Sequence, residues 1–70
     1  MTPMTEVHIY NVFPTRDGRW KVMEHNVELA RLDSKFQAEL KAIELGRQHR
    51  PSQVAVHKTN GHYERGYSYR

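Results

Sequence analysis

Five histidines, His8, His25, His49, His57 and His62, have the widest chemical reach of any residue type in this 70-residue chain. Imidazole ligates transition metals and moves protons near neutrality, and two imidazoles with a carboxylate approach a zinc set. The nearest such grouping is His57, His62 and Glu64. If Asn60-Gly61 closes a two-residue hairpin, Thr59 opposes His62, Lys58 opposes Tyr63, and His57 opposes Glu64. No fourth ligand and no H-x-x-x-H spacing accompanies them. The favoured reading is therefore surface histidines in cross-strand polar pairs, with no metal site and no cofactor expected.

Covalent chemistry has less to work with. The chain contains no cysteine, which removes thiolate nucleophiles, thiolate metal sites, redox motifs and a disulfide framework. No G-x-S-x-G elbow, Gly-rich phosphate loop or paired carboxylates in a cleft can be traced. A single-sheet domain of this size rarely encloses a concave active site. The expectation is a non-enzymatic domain with no small-molecule substrate.

One further pattern has chemical meaning. The tail Y-E-R-G-Y-S-Y-R interleaves Tyr63, Tyr67 and Tyr69 with Arg65 and Arg70, and aromatic faces stack bases while arginine neutralises phosphate. Tyr10, Arg19 and Lys21, placed on an exposed face of the first two strands, would extend that surface. Charge supports the idea modestly. Residues 1–44 carry six Lys/Arg against seven Asp/Glu, whereas 45–70 carry five against Glu64 alone, within a net charge of +3. The competing reading puts Tyr63 and Tyr67 over Val54 and Val56 as core, with the arginine heads solvated, and it is the favoured one.

These side chains need a scaffold, and the periodicity supplies one. Residues 7–13, V-H-I-Y-N-V-F, read as a strand ending at Pro14, with Val7, Ile9 and Phe13 on one face and His8, Tyr10 and Val12 on the other. Asp17-Gly18 turns the chain into 19–25, where Trp20 and Val22 share a face opposite Arg19, Lys21, Met23 and His25. A turn at His25-Asn26 leads to a third strand, 27–32, of ambiguous parity. Residues 53–58 and 62–67 form the last two strands, with Val54 opposite Tyr67. The expected class is α+β: a small antiparallel sheet in β-β-β-α-β-β order with one helix packed on it. Residues 1–6 are expected to be a flexible lead and 7–70 a single domain.

The helix spans Asp33 to Gly46 and ends near Gln48. Ser34 and Gln37 fit a capping box, with Asp33 as the competing N-cap, and Pro51 prevents continuation. At 100° per residue, Ala38, Ala42 and Leu45 form one apolar stripe, and Phe36, Leu40 and Ile43 form a second on another side. One sheet covers one stripe. Either the last hairpin folds over the second, or a second copy of the chain does. A homodimer would also supplement the small core that a chain this short can bury. No segment is apolar enough to span a bilayer and no signal peptide opens the chain, so a cytoplasmic location is expected and no membrane partner.

The order of motifs resembles an uncharacterised bacterial family, domain of unknown function 2188. The matching residues are Val7-His8-Ile9, Gly18-Arg19-Trp20-Lys21-Val22, Asp33-Ser34-Lys35 with Ala38 and Ala42, Val54-Ala55-Val56-His57 with Asn60-Gly61, and Ser68-Tyr69. The chain departs from the pattern at Gln37, where Glu is usual, and at Glu39, where an apolar residue is usual. It also departs at Phe36, Leu40 and Ile43, where small or polar residues prevail. The resemblance implies the fold and carries over no catalytic or binding residue.

Overall fold

The computed structural model describes residues 6–70. In chain order these form β1 (His8–Pro14), β2 (Trp20–Glu24), β3 (Val27–Leu32), α1 (Lys35–Gln48), β4 (Ser52–His57) and β5 (Tyr63–Tyr69). The α+β class and the expected element order hold. The lead expected over residues 1–6 lies, apart from Glu6, outside the described residues.

One sheet contains all five strands in the order β3-β2-β1-β4-β5. It is mixed rather than wholly antiparallel, because β1 and β4 run parallel, with Tyr10 opposite Val54 and Val12 opposite Val56. The reason is the helix. Three strands joined by hairpins leave β3 parallel to β1, and a helix after β3 carries the chain back to the end where β3 began. The next strand therefore starts in the direction of β1 and takes the place beside it.

Both three-residue hairpin loops end in a glycine with left-handed backbone. Thr15 N–H donates to the Arg19 carbonyl at 2.8 Å, and Gly18 has φ 82°. In the last hairpin Lys58 N–H donates to the His62 carbonyl at 2.7 Å and Gly61 N–H to the Lys58 carbonyl at 2.8 Å, with Gly61 at φ 87°. This arrangement is a tight turn followed by an αL residue, which a side chain would disfavour. The last loop is thus one residue longer than Asn60-Gly61 alone, and Lys58 opposes His62 rather than Tyr63. A bulge absorbs the difference: His57 pairs with Tyr63 and Val56 with Arg65, leaving Glu64 as the extra residue. Beyond it, Val54 pairs with Tyr67 as expected.

α1 begins at Ser34, whose Oγ accepts from Gln37 N–H at 3.1 Å, so Ser34 rather than Asp33 is the N-cap. The helix lies on one face of the sheet. Tyr10, Val12, Val22, Val54 and Val56 are buried there against Ala38 and Ala42, with Trp20, Leu32, Leu45, Tyr67 and Tyr69 packed around them. Ala30 and Leu32 are the members of β3 that face this core, which resolves the parity of that strand. Gly46 allows the close approach at the helix C-terminal end. A Cβ there would lie 3.0 Å from the Tyr69 ring and 3.1 Å from Ser52 Oγ, and buried Ser52 donates to the Gly46 carbonyl at 2.5 Å.

Candidate interaction surfaces

Three surfaces bear on function, and the helix presents the first. Lys35, Glu39 and Gly46 face β5, through contacts to Glu64, Arg65 and Tyr69. At 100° per residue Phe36, Leu40 and Ile43 lie further round the same side, beyond the reach of the sheet. Phe36 is 70% exposed and Leu40 50%, while Ile43 is half-buried. The last hairpin does not fold over this stripe, because β5 is paired to β4 at the sheet edge.

The second surface is a charged seam between α1 and β5. Glu39 is only 8% exposed and accepts from Arg65 through Nε at 3.1 Å and Nη2 at 2.6 Å. Tyr67 Oη donates to the same carboxylate at 2.6 Å. Glu64 joins Lys35 Nζ at 2.7 Å and Arg65 Nη1 at 2.5 Å. Burial acts to raise the Glu39 carboxyl, but the bonds from Arg65 and Tyr67 outweigh it and hold it below the usual carboxylate value. The Glu39 hydrogen bond raises the Arg65 guanidinium above its ordinary value. Such bidentate, charge-assisted contacts fix side-chain orientation as well as charge.

This seam accounts for several residues that the sequence grouped as nucleic-acid contacts. Arg65 and Tyr67 are engaged with Glu39, Tyr69 packs over Gly46, and Tyr10, 2% exposed, lies in the core. Tyr10 was expected on an exposed face. Its burial follows from β1 pairing with β4, which sets Tyr10 and Val12 level with Val54 and Val56 under the helix. Arg19 bonds Asp33 at 3.2 Å, and Arg70 is exposed at the end of the chain. Lys21 and Tyr63 lie on the opposite face of the sheet. The eight residues are therefore divided between two faces rather than assembled in one site.

The third surface is that opposite face, which no element among the described residues covers. The bulge at Glu64 separates Tyr63 from Arg65, Tyr67 and Tyr69 and turns it to this side, so Tyr63 does not join Tyr67 over the valines. Register places one residue from each strand in a row across the sheet. Arg31 opposes Lys21, Lys21 opposes Phe13, His57 stands next to Phe13, and Tyr63 opposes His57. The Phe13 and His57 rings stack with centroids 4.2 Å apart, and Tyr63 meets His57 edge-on at 6.2 Å. His57 Nδ1 lies 3.1 Å from the Val12 carbonyl; a carbonyl only accepts, so Nδ1 carries the proton and Nε2 keeps its lone pair in the neutral ring. Tyr63 is 61% exposed, and its hydroxyl lies over Gly66, where a Cβ would come within 2.7 Å of it.

Two shallow grooves flank the row. One of about 240 Å³ is lined by Ile9, Gln53, Ala55, Tyr63, Gly66 and Ser68 among others. The other, about 520 Å³, is lined by Pro14, Thr15, Arg16, Asp17, Lys21 and Arg31. Phe13, His57 and Arg31 were not among the candidate contacts. Period 2 placed Phe13 with Ile9, but that pattern alone does not say which face the helix covers. Glu64 points to Lys35 on the helix side while His57 lies on the open side, so these two members of the His57, His62 and Glu64 grouping are apart. Among the described residues, no three His, Asp or Glu side chains converge as a metal site would require, and no helix is long and apolar enough to cross a membrane.

No curated protein and no solved structure gives a significant match to the chain. A family profile matches residues 10–69, a span that takes in the motifs of β2, the start of α1 and the last hairpin, while Val7-His8-Ile9 lie before it. On that match the chain belongs to the family of uncharacterized proteins conserved in bacteria called domain of unknown function 2188.

Proposed function

We propose that this protein is a small, non-enzymatic, cytoplasmic interaction domain that pairs with a second copy of itself through the Phe36, Leu40 and Ile43 stripe. The observation that carries this reading is the 70% exposure of Phe36 and 50% exposure of Leu40 on adjacent turns of a well-formed helix. A symmetric contact places the same patch on both partners, so the stripe meets itself. The edge strands are poorer contacts, because β3 and β5 each carry a bulge or irregularity of register, a device that discourages edge-to-edge pairing.

Magnitudes decide how tight the pair is. Burying the exposed parts of Phe36 and Leu40 in two copies removes roughly 400 Å² of apolar surface from water, worth about 10 kcal/mol, of which the cost of association takes at least about 4 kcal/mol. The dimer is accordingly weak. Sedimentation velocity at high micromolar concentration should show it, and Leu40→Glu should return the protein to monomer. A wild-type protein that stays monomeric there, with Leu40→Glu indistinguishable from it, would refute the reading.

The alternative drawn from sequence, weak sequence-nonspecific nucleic-acid binding through the basic aromatic hairpin and tail, has less support. Arg65 is held by Glu39, and Tyr67 and Tyr69 pack toward the helix.

A further inference from the structure

We infer that the uncovered sheet face is a binding platform for single-stranded nucleic acid, centred on the row Lys21, Phe13, His57 and Tyr63. The inference is independent of self-association, since it uses the face opposite the helix.

Three observations point to this ligand class. The first is the placement of flat rings next to a cation. Phe13, His57 and Tyr63 occupy neighbouring positions on β1, β4 and β5, and Lys21 follows Phe13 directly on β2. From Lys21 to Tyr63 the row covers three strand spacings, about 14 Å, a path for a few nucleotides. Unpaired bases stack on aromatic faces irrespective of sequence, while lysine neutralises the phosphate alongside.

The second observation is that the rings are held in place before any ligand arrives. His57 is pinned by its bond to the Val12 carbonyl and stacked on Phe13. Tyr63 lies down across the face because Gly66 has no side chain to lift it. Pre-ordered rings lose little conformational freedom when a base stacks on them.

The third is charge and polarity. Lys21 forms no ion pair among the described residues, and Arg16 stands beside it in the larger groove. Arg31 is already shared between Glu28 and Asp17, so the phosphate contacts fall to Lys21 and Arg16. Asn11 and Gln53 lie on the same face as Ile9 and Phe13. A second apolar sheet would bury those amides without partners, which is costly, whereas a nucleotide offers them donors and acceptors.

The test is fluorescence polarisation with labelled dT and U oligomers of about 12 nucleotides, with a duplex of the same length alongside. Binding at low salt should favour the single strands. Two phosphate contacts give a slope near about −1.4 in log affinity against log salt, falling to about −0.7 in Lys21→Gln. Tyr63→Ala, at an exposed position where the fold has little to lose, should weaken binding about tenfold. Arg70→Ala should leave it unchanged, with circular dichroism verifying that each variant is folded. The inference is overturned by no binding at low salt, or by binding that Tyr63→Ala and Lys21→Gln leave untouched. Loss in Arg70→Ala alone would also overturn it, since that would place the ligand on the tail.

Discussion

Glu39 shows how much one residue can organise in a domain this small. A carboxylate on the helix, 8% exposed, would be a liability alone, since burying a charge without partners is expensive. Arg65 and Tyr67 reach it from β5 and hold it ionised. The folded carboxyl titrates below its ordinary value of 4.5, so the unfolded chain binds the proton more readily. The stabilisation is present above the unfolded value and is lost as pH falls through the folded one. Thermal denaturation between neutral pH and pH of about 3 should show the wild-type midpoint falling more steeply on the acid side than that of Glu39→Gln. Equal slopes would mean that the seam contributes nothing to acid sensitivity. At neutral pH, Glu39→Ala should cost about 2 kcal/mol, chiefly by leaving the Tyr67 hydroxyl without its acceptor, while Arg65 keeps only Glu64.

At the scale of elements, α1 is where sequence and structure agree most closely and where packing is tightest. Its start at Ser34 and its end at Gln48 follow from a capping side chain, a basic last turn and Pro51, all local features. Its approach to the sheet depends on Ala38, Ala42 and Gly46, the small residues of the buried side. Gly46 separates helix propensity from packing. Replacing it with leucine should help an isolated helix by about 1 kcal/mol, yet the side chain would meet the Tyr69 ring and Ser52. We expect Gly46→Leu to destabilise by about 1–3 kcal/mol in urea denaturation. A stabilised variant would show that the helix can move off the sheet at little cost. The strands depend less on local signals: the turn residues Asp17-Gly18 and Asn60-Gly61 were legible, but the bulge at Glu64 was not. Nothing in Y-E-R-G-Y announces that one residue will be left unpaired, because the bulge reconciles a three-residue loop with a register set further along by Val54 and Tyr67.

The whole molecule has two uncovered surfaces, an apolar stripe on the helix and the open face of the sheet. A single layer of helix over a five-stranded sheet leaves the other sheet face uncovered among the described residues. If the stripe joins two copies, mass action makes stability depend on concentration. The wild-type melting temperature should therefore rise with protein concentration, while that of Leu40→Glu should not. A concentration-independent midpoint in both would count against pairing.

Local chemistry in the sequence determined the number, order and type of elements and the helix ends. Those properties depend on caps, turns and side-chain period within a few residues. Tertiary structure decided the parallel pairing of β1 with β4, the side of β1 that faces the helix, and the division of the tyrosines. Tyr10 and Val12 compete with Ile9 and Phe13 for the same helix, and both pairs have the right period. The contest is resolved only when β4 brings Val54 and Val56 level with one of them. The row of Lys21, Phe13, His57 and Tyr63 exists for the same reason: its members come from four strands, and only register puts them side by side.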